Sequence, residues 1–154
     1  MKTQTQIENN NNILPILKYG DPMLRKPVKD ITDFTPLPNM INKMFITMYD
    51  EGGIGLAANQ VGWSLNLLIL DTTNIECEKE SDPYIFINSK IINTEGTIVL
   101  EEGCLSVPDI RAEIKRPKII ILQYQDINQN IHKKTFDGLI SRVIQHELDH
   151  LKGK

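Results

Sequence analysis

His146 and His150 stand four residues apart with Glu147 beside the first of them, in a stretch from Asp137 to Gly153 that reads DGLISRVIQHELDHLKG and contains HExxH. On a helix, residues four apart lie one above the other on the same face. Both imidazoles can then converge on one metal ion, with a carboxylate alongside to carry protons. Helical spacing places Leu139, Val143, His146 and His150 in one stripe with Glu147 at its edge, and Ile140, Ile144, Leu148 and Leu151 on the adjoining arc. Ser141, Gln145, Asp149 and Lys152 are left for a polar side, which predicts a helix that is largely buried. Asp137 is suited to cap its start and Gly153 to stop it. Taken alone, HExxH leaves two readings open: a metal pair, or a chance pattern on a solvated face.

Two further stretches have unusual texture. Gly53 to Gly62 reads GIGLAANQVG, and Glu101 to Pro108 reads EEGCLSVP. The first carries glycines at 53 and 55, two alanines and then Gln60, a backbone that another group can approach closely, with one amide side chain projecting from a tight segment. A phosphate loop is excluded because neither GxGxxG nor a GKS or GKT sequence is present. The second stretch offers Cys104 as a thiolate ligand, or as a small buried apolar residue in a turn.

These groups need a scaffold, and the chain length suits one domain, residues 1–154, with residues 1–12 a flexible tail containing the run Asn9 to Asn12. Composition is that of an ordinary globular protein, with 40% apolar and 24% charged residues. The net charge of -3 and the scattered lysines argue against nucleic-acid or membrane-surface partners. The start of the chain shows neither a secretory signal nor an organelle presequence, so a cytoplasmic location is expected, with Cys77 and Cys104 reduced. Asp21 and Pro22 predict a short turn over Pro22 to Arg25. Met40, Ile41, Met44, Phe45 and Met48 repeat at helical spacing, so Leu37 to Asp50 is an amphipathic helix whose methionine stripe is core, stopped by Gly52 and Gly53. Leu65–Leu70, Tyr84–Asn88, Thr97–Leu100, Ile119–Tyr124 and His132–Phe136 read as strands. The last two form a hairpin across the polar turn Gln125 to Asn130, with His132 toward solvent. Helix, strands and closing helix in that order predict an α+β fold, small antiparallel sheets packed around the C-terminal helix.

GIGLAANQ, EGCLS and QHELDH, in this order, resemble the three signature motifs of the peptide deformylase family, over about two thirds of the chain from Gly53 to Gly153. The upstream DPMLRKP is similar to that family's N-terminal segment. The resemblance implies one metal ion per chain, held by Cys104, His146 and His150 with water in the fourth position. It implies iron(II), with zinc, nickel or cobalt able to substitute. A thiolate and two imidazoles suit Fe(II) or Zn(II), and three protein ligands with one open position mark a catalytic site.

The implied reaction is hydrolysis of the formyl group on the N-terminal methionine of nascent peptides, releasing formate. Glu147 would be the general base that becomes the general acid, and the Gln60 side-chain amide and Leu105 backbone N–H would stabilise charge on the formyl oxygen. By the same resemblance Ile54, Leu100, Val107, Leu139 and Val143 wall an apolar methionine pocket, with the stem of Arg142 at its rim. Ile54 and Gly55 would bond the peptide as a partner strand does, Arg111 would lie near its later residues, and Glu102 and Arg116 would form an ion pair bracing the cysteine loop.

The sequence ends at Lys154, where many bacterial members continue into a segment that some use to dock on the ribosome, so docking by that route is not expected. A monomer is expected. Asn66 stands where relatives often carry a basic residue, and Asp109 replaces a common glycine. Two rival readings are an HExxH metallopeptidase cutting internal peptide bonds and a non-catalytic zinc domain with Cys77 or His132 as fourth ligand. The first lacks a third His or Glu downstream, and the second leaves Glu147 and Gln60 without a purpose.

Overall fold

The structure, a computed structural model, describes residues 13–18, 20–73, 83–104 and 107–153; at residues 100, 102–104 and 107–112 it describes the backbone alone. Cys77 and the flexible tail expected over residues 1–12 lie outside the described residues. The fold is α+β, as expected. Strands β1 (Gly55–Ala57), β2 (Leu67–Leu70), β3 (Tyr84–Glu95), β6 (Ile119–Gln125) and β7 (Ile131–Phe136) form an antiparallel sheet in the order β1-β2-β3-β6-β7. Strands β4 (Ile98–Cys104) and β5 (Val107–Arg116) form a separate antiparallel pair.

Helix α1 spans Leu37–Asp50 and helix α2 spans Gly138–Leu151. They cover opposite faces of the larger sheet. Because side chains alternate along a strand, Leu67 and Ile69 pack with Ile41, Met44 and Met48 of α1, while Leu68 and Leu70 pack with Val143, Ile144 and Leu148 of α2. That explains why β2 reads as an unbroken apolar run: both of its faces are covered. The methionines of α1 are core, as expected, with Met44 and Met48 fully buried. On the α2 side the ring of Phe86 meets those of Tyr84, Tyr124 and Phe136 at centroid separations of 5.5, 4.7 and 5.5 Å.

The short turn over Pro22–Arg25 is a 3-10 helix, and Asp21 caps it by accepting from the Met23 N–H at 2.9 Å. Two strands were not anticipated. β1 has only three small or aliphatic residues and exists through its pairing with β2; β5 alternates charged with apolar residues and carries Pro108. β3 runs seven residues beyond the expected Asn88, because Asn88 adopts φ 53° and the register with β6 shifts rather than breaks. His132 is not simply solvent-facing: it stacks on Tyr124 at 5.2 Å and pairs with Asp126 at 2.8 Å. The imidazole, followed by backbone N–H groups of Asn130 and Asn128, holds the Asp126 carboxyl below its usual range.

Candidate active site

Helix α2 starts where Asp137 accepts a hydrogen bond from the Gly138 N–H at 2.6 Å, and ends into Gly153 at φ 80°. Glycine is required at 153 for a second reason: a Cβ there would collide with the backbone carbonyl of Arg25. The arc assigned to the polar side is itself packed. Ser141 and Gln145 are buried, and the Gln145 Nε2 donates to the Pro117 carbonyl at 2.9 Å and the Ser141 Oγ at 3.0 Å. Asp149 accepts from the buried guanidinium of Arg116 at 2.7 Å. The side chain of Glu102, the partner expected for Arg116, lies outside the described residues. Lys152 is exposed, and the imidazoles are half-buried.

The rings of His146 and His150 lie 4.9 Å apart between centroids, at 87° to one another. Two imidazoles bound to one tetrahedral ion through bonds of about 2.0–2.1 Å place their centroids roughly 5 Å apart, so this pair fits a shared metal. Among the described residues no cluster of three His, Cys, Asp or Glu side chains forms a metal site. Cys104 is the last residue of β4, its backbone opposite Val107 at the closed end of the β4–β5 hairpin; its side chain and all of Leu105 lie outside the described residues.

The glycine-rich motif meets α2 directly. A Cβ on Gly55 would stand 2.7 Å from Val143 Cγ1 and 3.2 Å from both Cγ and Oε1 of Glu147. Only a residue without a side chain allows that approach. Gly55→Ala is expected to lower stability to urea by about 1–3 kcal/mol, the usual cost of forcing a methyl into a packed site. An unchanged urea midpoint would show that the two motifs are not seated together.

The strand is held in place from behind. Gly53 donates to the Met48 carbonyl at 2.9 Å, Asp71 donates to the Ile54 carbonyl at 2.9 Å, and the Tyr49 hydroxyl donates to Asp71 at 2.5 Å. Burial, then the hydrogen bond and charge of Asp71, push the Tyr49 hydroxyl up to about 12, so it remains a donor at neutral pH.

Past β1 the chain enters a 3-10 turn, Ala58–Val61, in which Asn59 and Gln60 are both buried. The Gln60 Oε1 accepts from the Ala57 N–H at 3.0 Å. That bond fixes the amide's orientation, so its NH2 end is the one directed elsewhere. Leu139 and Arg142 border a cavity of about 240 Å³ with Ile98, Lys118, Asp137 and Gly138. On α2, residues 138 to 142 precede His146 by roughly 6–12 Å along the axis.

Of the residues expected in the site, the structure thus gathers Ile54, Gly55, Gln60, Leu139, Arg142, Val143, His146, Glu147 and His150 on or against α2 and β1. The side chains of Leu100, Cys104, Val107 and Arg111 lie outside the described residues. Sequence reasoning missed Asn59, whose Nδ2 donates to the His150 carbonyl at 2.6 Å, and the pairing of Asp149 with Arg116. Neither leaves a local signal, since each partner comes from a distant segment.

An α+β scaffold that brings a glycine-rich strand and turn against an HExxH helix defines a class of hydrolase, and comparison with known proteins gives the family. The family model for polypeptide deformylase matches residues 13–154. The peptide deformylase of Chlorobaculum tepidum is 43% identical over 144 residues, 92% of this chain and 76% of the relative; that of Chlorobium luteolum is 41% identical, covering 92% and 75%. The crystal structure of the Thermotoga maritima peptide deformylase superimposes with TM-score 0.85 at 40% identity, covering 92% of both chains. That of Synechococcus elongatus, in complex with actinonin, gives 0.83 at 39% identity, covering 91% and 74%. The chain belongs to the polypeptide deformylase family, metal-dependent hydrolases that act on N-formylmethionyl peptides. Membership displaces both rival readings, the metallopeptidase and the zinc domain. Among the described residues no helix is long and apolar enough to cross a membrane.

Proposed function

We propose that this chain hydrolyses the N-formyl group of nascent peptides, releasing formate, at a site built from Cys104, His146 and His150 as ligands to one iron(II) and Glu147 as general base and acid. The observation that carries the reading is the seating of Gly55 on Val143 and Glu147, which puts the GIGLAANQ and HELDH segments at one place. A divalent ion held there supplies Lewis acidity, polarising a carbonyl and making water nucleophilic near neutral pH. Zinc, nickel or cobalt would fill the same donor set.

Glu147 takes the proton released as water attacks the formyl carbon and returns it to the departing nitrogen, so that the peptide leaves as a neutral amine. The Gln60 amide N–H and the Leu105 backbone N–H donate to the formyl oxygen as it gains charge. Leu139 and Val143 with Ile54, Leu100 and Val107 exclude water from the methionine side chain, and the stem of Arg142 closes the rim. The main chain of Ile54 and Gly55 pairs with the peptide backbone, leaving its later residues near Arg111. Glu102 completes with Arg116 and Asp149 a brace between the cysteine hairpin and the site helix. The protein acts as a cytoplasmic monomer.

The test is an anaerobic assay on Fe(II)- and Zn(II)-loaded protein, with formyl-Met-Ala-Ser and an unformylated casein peptide as substrates. Formate release from the first and no cleavage of the second is the expected result. Cleavage of internal bonds in casein, or no formate with either metal, would overturn the reading.

A further inference from the structure

We propose that Asn59 is a positioning residue for His150, tying the turn that carries Gln60 to the last turn of the site helix. The inference rests on His150 being a metal ligand. Asn59 is fully buried, and its Nδ2 reaches the His150 backbone carbonyl at 2.6 Å across 91 residues of sequence. Its role is not to satisfy that carbonyl, because the Gly153 N–H already donates to it at 3.0 Å. Nor is the amide well paired in return. The Asn59 Oδ1 is buried and has no hydrogen-bond partner among the described residues. A buried polar atom left unbonded is destabilising, so a residue selected for stability alone would not be an amide here.

What the bond does is local and geometric. His146 lies a full turn inside α2, whereas His150 lies in its final turn, where carbonyls lack intrahelical partners and helices fray. Among the described residues, two bonds from other segments of the chain reach the backbone of that turn, Asn59 to the His150 carbonyl and the Val28 N–H to the Leu151 carbonyl at 3.0 Å, while Arg116 pairs with the Asp149 side chain at 2.7 Å. The first originates one residue before Gln60, whose own side chain is fixed by the Ala57 N–H. One hydrogen bond therefore sets both the seat of the His150 imidazole and its spacing from the proposed oxyanion donor. Ligand groups need placement within about 0.5 Å to bind well, which a fraying turn does not provide unaided.

The full-length protein loaded with Co(II) gives readouts other than turnover: the visible d–d bands, which report ligand geometry, and the rate of Co(II) loss to excess EDTA. Asn59→Ala is expected to shift the bands and to speed Co(II) loss by about 10- to 100-fold, the usual effect of removing a group that orients a ligand. The thermal midpoint of its metal-free form should stay close to wild type. Asn88→Ala serves as the comparison, because Asn88 also bonds a distant backbone carbonyl, that of Ile31 at 2.9 Å, at a position with φ 53°. It should lower the metal-free midpoint while leaving the bands and the Co(II) loss rate unchanged.

If Asn59→Ala behaves as Asn88→Ala does, or changes nothing, the positioning role is wrong. Asn59→Leu fills a similar volume without a donor and gives the same reading should the alanine variant not fold. Failure of both to fold would make Asn59 structural and overturn the proposal. A wild-type protein that takes up no Co(II) would instead sink the metal site itself, which separates the two failures.

Discussion

Glu147→Gln is expected to lower kcat for formate release by about 10²- to 10⁴-fold, the range that a positioned acid–base group contributes. Glutamine has nearly the shape of glutamate, and shape matters at this position: Glu147 is 4% exposed and its carboxylate and Cγ lie against Gly55. The substitution therefore retains the packing of β1 on α2 and removes only the capacity to take up a proton. Metal content and thermal midpoint should remain near wild type, and KM for formyl-Met-Ala-Ser should change little, because the lost interaction is made in the transition state. A variant with wild-type kcat would refute the proton-transfer role. One with wild-type kcat and a raised KM would reassign Glu147 to substrate binding.

At Gln60, two substitutions separate support of the turn from participation in the reaction. Gln60→Glu keeps an oxygen that can accept from the Ala57 N–H at the 3.0 Å position but removes the NH2 donor, whereas Gln60→Leu removes both. Loss of one oxyanion donor costs roughly 10²- to 10³-fold in kcat, about 2.7–4 kcal/mol of barrier. Both variants should show that loss, with KM nearly unchanged. Gln60→Leu should in addition be less stable, since it leaves the Ala57 N–H without its partner in a fully buried strand. If Gln60→Glu retained kcat while Gln60→Leu lost it, the glutamine would be a support for the turn and no part of the oxyanion site.

The two predictions draw on opposite ends of the same packing contact. Gln60 leaves the strand three residues after Ala57, and Glu147 lies one helical turn past Val143, so the closeness of Gly55 to α2 sets how near the Gln60 turn lies to Glu147. Asn59 adds a second tie between the same segments, at the His150 carbonyl.

The features legible from sequence are those set by local interactions. Helix α1 has the bounds its apolar spacing predicts, and α2 begins after Asp137 and runs out into Gly153, because helical periodicity, an N-cap and a left-handed glycine act within a few residues of each other. The adjacency of His146 and His150 on one helix face follows from the same local geometry. Family membership was also readable, since three motifs in fixed order carry it.

Tertiary structure alone decided the rest. Gly55–Ala57 has little strand propensity and becomes β1 because β2 offers a partner, and Val107–Arg116 becomes β5 through pairing with β4. The sequence marks a polar side on α2 but not its partners: Ser141 and Gln145 are buried, Gln145 donating to the Pro117 carbonyl, and Asp149 pairs with Arg116. A buried polar group is stable only where another segment supplies its hydrogen bond, and no window of neighbouring sequence shows which segment that is. The same reason hid Asn59: its chemistry depends on a carbonyl 91 residues away, brought within 2.6 Å only when the HExxH helix closes over the glycine-rich turn.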